Sequence, residues 1–135
     1  MSKMKVNTFS VFCGIPVPVT SIKDWCFLLN TSPDRVAGYK HKEVGSLTIE
    51  DVITTAERNY TSQHEVVEQR GMYYFVVCWL VRLDTPDMDV DVAQSLSKIH
   101  RALESVQTKQ TMGLLRQITR TEPQPTICIR YIQKR

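Results

Sequence analysis

The sequence lacks the short motifs that carry most catalytic and metal-binding chemistry. Its 5 glycines are scattered along the chain, so no glycine-rich phosphate loop is present, and no serine or cysteine stands in a nucleophile-elbow context. Its 4 cysteines form no CxxC pair, and none of its 3 histidines is spaced as a zinc partner. These absences predict a non-enzymatic protein without a metal, a cofactor or a small-molecule substrate.

The cysteines do not indicate a disulfide framework either. Cys13, Cys26, Cys78 and Cys128 are far apart in the chain, and three of them lie inside apolar stretches. Buried free thiols of this kind are typical of proteins in a reducing compartment. Residues 1–12 contain lysines and no apolar h-region, so they do not resemble a secretory signal. We therefore expect a cytoplasmic or nuclear protein.

Long apolar runs are also scarce, and the longest, residues 72–83, marks the centre of the core. A membrane-spanning helix needs about 20 apolar residues, and this run is interrupted at Arg82 and ends at Asp84. Its aromatic and β-branched side chains are instead typical of a strand that is covered on both faces. Residues 63–69 predict a polar strand before it, and Arg70 with Gly71 predicts the hairpin turn between them.

The N-terminal part of the chain predicts a strand followed by a helix. Residues 5–13 alternate between apolar and polar positions, as a half-exposed strand does. Gly14 and the two prolines after it are expected to end this strand or to confine it to an edge of the sheet, because proline donates no ladder hydrogen bond. Residues 22–30 then predict a helix with Thr20 or Ser21 as its N-cap.

That first helix is apolar over more than half of its circumference. Its core stripe, at helical spacing, consists of Ile22, Trp25, Cys26 and Leu29. Phe27 and Leu28 fall outside this stripe, so they predict a contact surface.

The later elements follow the same kinds of signal. Residues 34–46 show no period and predict an exposed loop, whereas Thr48 and Asp51 predict a capped helix that runs to Tyr60 and buries that residue. Gly113 is expected to separate a first helix from a second, shorter one, and residues 126–133 predict a closing strand with Ile127, Ile129 and Tyr131 on one face. The first of these helices is predicted from a heptad seam that packs on the sheet, formed by Val92, Leu96, Ile99, Leu103 and Val106.

These elements predict an α+β fold with the order β-α-α-β-β-α-α-β. We expect one globular domain over residues 1–135, in which helices pack on a mainly antiparallel sheet. A chain of 135 residues is long enough to bury such a core without disulfides or metal.

The net charge of +3 hides an uneven distribution. Residues 1–47 carry six Lys or Arg and three acids, residues 48–91 carry three and nine, and residues 92–135 carry eight and two, so the segments have net charges of +3, −6 and +6. If the fold keeps these segments apart, the molecule is bipolar. The alternative is that these charged residues are ordinary surface residues on the solvent-exposed faces of helices and strands.

A bipolar molecule predicts two kinds of partner. The basic end favours anionic lipid or nucleic acid, and the residues expected there are Lys98, Arg101, Lys109, Arg116, Arg120, Arg130, Lys134 and Arg135. Opposite patches also favour head-to-tail contacts between copies of the chain. The residues expected in self-association are Pro16, Val17, Pro18, Phe27, Leu28, Asp87, Asp89 and Asp91.

The order of these elements resembles the globular domain of the matrix proteins of non-segmented negative-strand RNA viruses, the rhabdovirus type in particular. The similarity covers most of the chain, from the N-terminal strand and the tryptophan-containing helix at residues 22–30 to the aromatic strand at residues 72–83 and the closing strand. It implies a structural protein that self-associates, lies at the inner face of an anionic membrane or in a virion, and contacts a ribonucleoprotein or RNA. The chain departs from that group in lacking PPxY and PTAP-like budding motifs.

Two other functions fit the same sequence. A cytosolic adaptor or regulatory domain would bind a protein partner by strand addition along an exposed edge at residues 11–19. A nucleic-acid-binding accessory protein would use the basic C-terminal third. Recovery of one discrete partner in a pull-down would favour the first, and an electrophoretic shift that weakens steeply with salt would favour the second.

Overall fold

The computed structural model describes residues 9–40, 46–82 and 92–131 of the chain. Within these ranges the predicted α+β class is confirmed, with one more helix than expected. In chain order the elements are β1 (Phe9–Val17), α1 (Ile22–Leu28), α2 (Pro33–Lys40), α3 (Ile49–Arg58), β2 (Val66–Gln69), β3 (Met72–Val81), α4 (Val92–Leu103), α5 (Val106–Thr119) and β4 (Thr126–Tyr131).

The four strands form one curled sheet in the order β2-β3-β1-β4. Every neighbouring pair runs antiparallel. The predicted hairpin between β2 and β3 is confirmed: its turn residues Arg70 and Gly71 have φ values of 53° and 81°. The curl also brings the two outer strands close together. The side-chain amide of Gln69 in β2 donates a hydrogen bond to the carbonyl of Ile129 in β4 at 3.1 Å.

Helices α1, α3 and α5 pack on one face of the sheet, and Trp25 lies at the centre of that core. Trp25 is fully buried, and its indole N–H donates to the carbonyl of Val19 at 2.8 Å. Its ring meets those of Tyr73 and Phe75 edge to face. Other buried members of this core are Ile15, Val17, Cys26, Leu29, Val52, Ala56 and Leu115.

A second, smaller core fills the concave face inside the curl. Each strand contributes one buried residue to it: Phe12, Val67, Val76 and Cys128. Tyr74 and Trp79 pack against this cluster, with ring centres 6.1 and 5.2 Å from that of Phe12. The predicted cover on both faces of the run at residues 72–83 is confirmed at its centre, where Phe75 belongs to the helix-side core and Val76 to the concave core, whereas the other residues of β3 are half-buried.

Side-chain caps start α1 and α3 where the sequence placed them. Ser21 accepts a hydrogen bond from the Asp24 N–H, and Thr48 and Asp51 form a reciprocal capping box with two distances of 3.1 Å. α3 ends at Arg58, two residues before its predicted end, and the predicted burial of Tyr60 was wrong. Tyr60 lies beyond the helix with a φ of 54° and is 93% exposed, so it is not part of the buried face.

β1 differs from its prediction in length and in position. It continues through Gly14 and Pro16, and it lies between β3 and β4. Pro16 is tolerated because β4 pairs only with residues 9–14 of β1, so beyond Gly14 the strand has a neighbour on the β3 side alone. The prediction that the strand stops at Gly14 was therefore wrong. The predicted edge is confirmed for residues 15–17, where β4 does not pair with β1, and was wrong for residues 11–14.

α2 occupies part of the segment that was predicted to be a loop. Pro33 is its first residue, and the Ser32 hydroxyl accepts a hydrogen bond from the Arg35 N–H at 3.4 Å. Among its described side chains Val36 is the buried one, so no repeating apolar period indicates this helix. Residues 41–45 of the predicted loop lie outside the described ranges.

The predicted heptad seam is divided between two helices. α4 ends at Leu103, and α5 begins after Ser105, whose side chain accepts a hydrogen bond from the Thr108 N–H at 3.2 Å. α5 continues through Gly113 and is longer than α4, so the predicted break at that glycine was wrong. α4 meets the sheet mainly at β3 and leaves its seam residues Val92 and Leu96 exposed. The seam residue Val106, at the start of α5, is exposed as well.

Candidate interaction surfaces

The last strand presents an apolar face to solvent. Ile127, Ile129 and Tyr131 alternate along β4 and are 50%, 45% and 73% exposed. Ile127 pairs with Cys13, which is two residues from buried Ile15, so the three side chains lie on the helix-bearing side of the sheet. The predicted alternation of the closing strand is thus confirmed for its described residues. We call these three residues the β4 face; exposed apolar patches of this kind mark interaction sites.

An acidic groove of about 330 Å³ lies between α3 and β2. Like the β4 face, the groove lies on the helix-bearing side of the sheet, but it is at the other end of β1. Tyr73 in the groove pairs with Val17, whereas β4 pairs only with residues 9–14 of β1. Burial, and then the charges of Glu50 and Glu68, raise the pKa of the Tyr73 hydroxyl. The groove is lined by Glu50, Ile53, Thr54, Glu57, Val66, Glu68 and Tyr73.

Six of the predicted basic residues are described, and three of them have partners within the chain. Arg116 forms a two-pronged ion pair with Glu122, with distances of 2.6 and 2.9 Å. These hydrogen bonds raise the pKa of Arg116 and lower the pKa of Glu122. A phosphate would have to displace Glu122 to bind Arg116. The other two pairs are Lys109 with Glu104 and Lys98 with the carbonyl of Trp79.

The other three described basic residues remain available to an external anion. Arg101, Arg120 and Arg130 are exposed and have no ion-pair partner in the part of the chain that the structure describes. They lie on α4, at the end of α5 and on β4 respectively. Lys134 and Arg135 lie outside the described ranges.

The N-terminal residues predicted for self-association do not form one surface. Val17 is 2% exposed and belongs to the helix-side core, so its prediction as a contact residue was wrong. Pro16 and Pro18 line a small groove of about 150 Å³ against Pro123. The acidic residues of the same prediction lie outside the described ranges: Asp87, Asp89 and Asp91.

Phe27 and Leu28 border a cleft of about 510 Å³ between the end of α1, residues 61–64 and α5. Phe27 is 48% exposed, which agrees with its predicted place outside the core stripe. Two buried polar atoms in the cleft, Thr31 Oγ1 and His64 Nε2, have no hydrogen-bond partner among the described residues. No Lys, Arg, Asp or Glu lines the described cleft, so it suits an uncharged ligand with both apolar and polar groups.

His64 in this cleft makes the stability of the fold depend on pH. Burial lowers the pKa of His64, and hydrogen bonds from the imidazole to the backbone of Gln107 and Val76 oppose this effect by favouring the protonated ring. In the unfolded chain the imidazole returns to its ordinary pKa of 6.5. As the pH falls through that value, the unfolded state therefore takes up a proton more readily than the folded state. We expect the free energy of unfolding to fall as the pH drops from about 7.5 to about 5.5, and to fall less in His64→Gln.

Urea titrations at the two pH values, followed by circular dichroism, measure this effect. His100→Gln is the matched control, because His100 is exposed on α4. Equal losses of stability in His64→Gln and in the unaltered chain would contradict the prediction.

The cysteines have the character that the sequence predicted. All four are free, and three are buried. Burial raises the pKa of Cys13 to about 11, with smaller contributions from neighbouring Cys78 and Cys128. Burial also raises the pKa of Cys26, which lines the cleft beside His64. Protonated thiols are poor nucleophiles and poor metal ligands, so these cysteines act as small apolar residues.

Sequence reasoning missed the acidic groove and the cleft. Glu50 and Glu57 are two helical turns apart on α3, a spacing that indicates a shared acidic face. Glu68 joins them only through the fold, because β2 lies beside α3 in space. No local pattern indicated that His64 would be buried.

Over the ranges 9–40, 46–82 and 92–131, no group of three or more His, Cys, Asp or Glu residues is placed to hold a metal ion. In the same ranges no helix combines the length and the apolar character needed to cross a membrane. Comparisons with protein-family models, with curated proteins and with solved structures find no match to this chain.

Proposed function

We propose that this protein is a non-enzymatic structural protein of the viral matrix type, which assembles with copies of itself and binds anionic membrane surfaces from the cytoplasmic side or within a virion. The β4 face carries the proposal. Three large apolar side chains stand in a row on one strand, roughly half or more exposed. Covering such area in a contact is favourable by about 25 cal/mol per Å².

A second copy of the chain is the proposed occupant of the β4 face, because the acidic groove complements it. The groove combines three carboxylates with the apolar side chains of Ile53 and Val66. The β4 face contributes three exposed apolar side chains, and it belongs to the C-terminal segment, residues 92–135, whose net charge of +6 is opposite in sign to the groove. Apolar contacts can therefore form at the surface itself, while the opposite charges of the two regions attract each other.

The positions of the two surfaces favour a head-to-tail arrangement. β4 and β2 are at opposite ends of the strand order, and the groove lies at the end of β1 that β4 does not reach. A contact between two different patches on identical molecules leaves one patch of each kind free, so further copies can add. The assembly then grows into a filament or closes into a ring. This is the behaviour expected of a protein that coats a surface.

The basic residues support the membrane part of the proposal. Arg101, Arg120 and Arg130 are exposed and unpaired within the described ranges. Each basic residue near an anionic membrane contributes about 1 kcal/mol of attraction. Three such residues give a weak, reversible attachment, which assembly multiplies because every added copy brings the same charges.

Assembly is tested by replacing one residue of the β4 face with a charge. In sedimentation velocity, the unaltered chain is expected to form larger species as its concentration rises, and fewer of them at high salt. Ile129→Asp is expected to remain a monomer, since an unpaired carboxylate in the contact should weaken it about tenfold or more. Val106→Asp is the matched control: Val106 is equally apolar and exposed, and it lies at the start of α5, where an acid is tolerated.

A mixing experiment then distinguishes head-to-tail contacts from symmetric ones. Glu57→Lys reverses a charge in the acidic groove and is also expected to be a monomer alone. When Ile129→Asp and Glu57→Lys are mixed, the intact groove of the first can bind the intact β4 face of the second, so dimers should form and grow no further. An unaltered chain that stays monomeric at all concentrations would contradict the proposal, and a mixture that stays monomeric would contradict its head-to-tail geometry.

A further inference from the structure

Helix α5 has a glycine in its interior that neither the backbone nor the packing requires. Gly113 is not among the described residues with a positive φ, so a residue with a side chain can adopt its conformation. Nothing in the described ranges lies within 4 Å of a Cβ built at Gly113, so no described neighbour excludes a side chain. Glycine is also less favourable than alanine inside a helix. What the missing side chain does provide is space, because Gly113 lines the cleft of about 510 Å³ between α1, residues 61–64 and α5.

Two buried polar atoms beside this space, Thr31 Oγ1 and His64 Nε2, have no hydrogen-bond partner among the described residues. Buried polar groups without partners are uncommon in native proteins. A threonine hydroxyl can donate or accept, so it is compatible with either kind of group. Both side chains line the cleft, and binding commonly changes side-chain rotamers, so a molecule in the cleft can supply the hydrogen bonds that the chain does not.

The imidazole of His64 determines which kind of group that molecule needs. Hydrogen bonds from the ring to the backbone of Gln107 and Val76 use an N–H of the imidazole. A neutral imidazole has one N–H and one lone pair, so Nε2, the nitrogen without a partner, is the one that accepts. Burial lowers the pKa of His64, which keeps the ring neutral at about pH 7.5. A molecule that contacts Nε2 must therefore donate an N–H or O–H.

The rest of the lining favours an uncharged molecule with a ring. No Lys, Arg, Asp or Glu is among the described residues of the cleft, so a charged group would lose its water there without gaining an opposite charge. The cleft is lined by the rings of Phe27, His64 and Phe75, and the centres of the last two are 6.1 Å apart. Aromatic rings pack favourably on one another in tilted or offset positions. The volume of the cleft is also within the range of about 300–1,000 Å³ that is usual for small-molecule sites.

We propose that this cleft binds a small uncharged molecule that has an aromatic ring and a hydrogen-bond donor. The ring packs among the aromatic side chains in the space that Gly113 leaves open, and the donor contacts His64 Nε2. This activity goes beyond the proposed function. The cleft shares no described residue with the β4 face or with the acidic groove, so binding in the cleft and self-association can be tested separately.

Indole and benzofuran are the probes for the test, because they have nearly the same shape and differ in one ring atom: benzofuran has an oxygen where indole has its N–H donor. In ¹H–¹⁵N spectra at about pH 7.5, indole is expected to shift the backbone signals of Thr31 and Leu114 in a saturable way. The Nε2 signal of His64 should move as well, while that of His100 on α4 stays in place. Benzofuran is expected to bind about threefold to tenfold more weakly, as the loss of one hydrogen bond does.

Gly113→Leu tests the location, because its side chain would occupy the space beside α5. It is expected to weaken indole binding about tenfold or more without lowering the melting temperature, since the added Cβ meets no described atom and leucine is favoured over glycine in a helix. Gln117→Leu is the matched control. It adds the same side chain at an exposed position of α5 that does not line the cleft, so it should change the affinity less than about twofold.

The proposal would be overturned if indole caused no saturable shift, which is the result for a cleft that holds only water. Equal binding of indole and benzofuran, or equal binding of indole by Gly113→Leu and by the unaltered chain, would overturn it too. The comparison of the two probes uses the unaltered chain, so it decides the matter even if Gly113→Leu does not fold.

Discussion

Replacing Trp25 with alanine is expected to lower the free energy of unfolding by about 3–5 kcal/mol, the usual cost of removing a large buried aromatic side chain. Trp25 is fully buried, donates to the carbonyl of Val19 at 2.8 Å, and has ring centres 5.3 and 5.9 Å from those of Tyr73 and Phe75. The substitution leaves a cavity at the point where α1 meets the sheet. Because small domains are stable by only about 5–15 kcal/mol, much of the population should unfold on mild heating.

Urea titration followed by circular dichroism measures this loss without relying on the fluorescence of the residue removed. Trp25→Phe should cost less, about 1–3 kcal/mol, because it keeps an aromatic ring but leaves the Val19 carbonyl without its donor. Phe27→Ala on the same helix is the matched control, and it should cost less than about 1 kcal/mol, since Phe27 is 48% exposed. Equal stabilities of Trp25→Ala and Phe27→Ala would show that α1 does not pack on the sheet through Trp25.

Replacing Gly14 with alanine is expected to cost about 1–3 kcal/mol through overpacking of the concave core. A Cβ at this position would lie 2.7 Å from Cε2 of Phe12 and 3.2 Å from Cβ of Tyr74. The Tyr74 atom is fixed to the backbone of β3, and the Phe12 ring is fully buried beside Trp79, so neither can move away freely. The strand or the core must shift instead.

The same substitution at Gly113 is the control, and it should have the opposite sign. Nothing lies within 4 Å of a Cβ added there, and Gly113 is in the interior of α5, where alanine is favoured by about 0.5–1 kcal/mol. Differential scanning calorimetry of both variants would show a lower melting temperature for Gly14→Ala and an equal or higher one for Gly113→Ala. Adding Phe12→Leu to Gly14→Ala should recover part of the loss by giving the new methyl group room; a loss that simply adds to the first would show that the clash is not the cause.

Elements that depend on local chemistry could be predicted from the sequence. Thr48 and Asp51 are three residues apart and cap α3 on their own, and Arg70 with Gly71 forms its turn without help from distant residues. The position of β1 could not be predicted in this way, because it depends on which strands pair with it. Pro16 indicates an edge, yet β1 becomes an inner strand once β4 pairs with residues 9–14.

The charge pattern shows the same limit at the level of the site. Counting along the chain gives the last third a net charge of +6, but it does not show that Glu122 already binds Arg116. The acidic groove is further from prediction, because Glu68 of β2 joins Glu50 and Glu57 of α3 only through the fold. Sites of this kind arise from the fold rather than from motifs.

The hydrogen bond from Gln69 to Ile129 also bears on how an assembly of this protein could fail. An unoccupied carbonyl on the rim of an outer strand is a template for amyloid-like growth, in which the sheets of many molecules merge irreversibly. Gln69 occupies that carbonyl from within the same molecule, at the seam where the curl nearly closes. In the proposed assembly, copies would join through side chains while this part of the backbone stays paired within each molecule, which predicts a coat that dilution or salt can take apart.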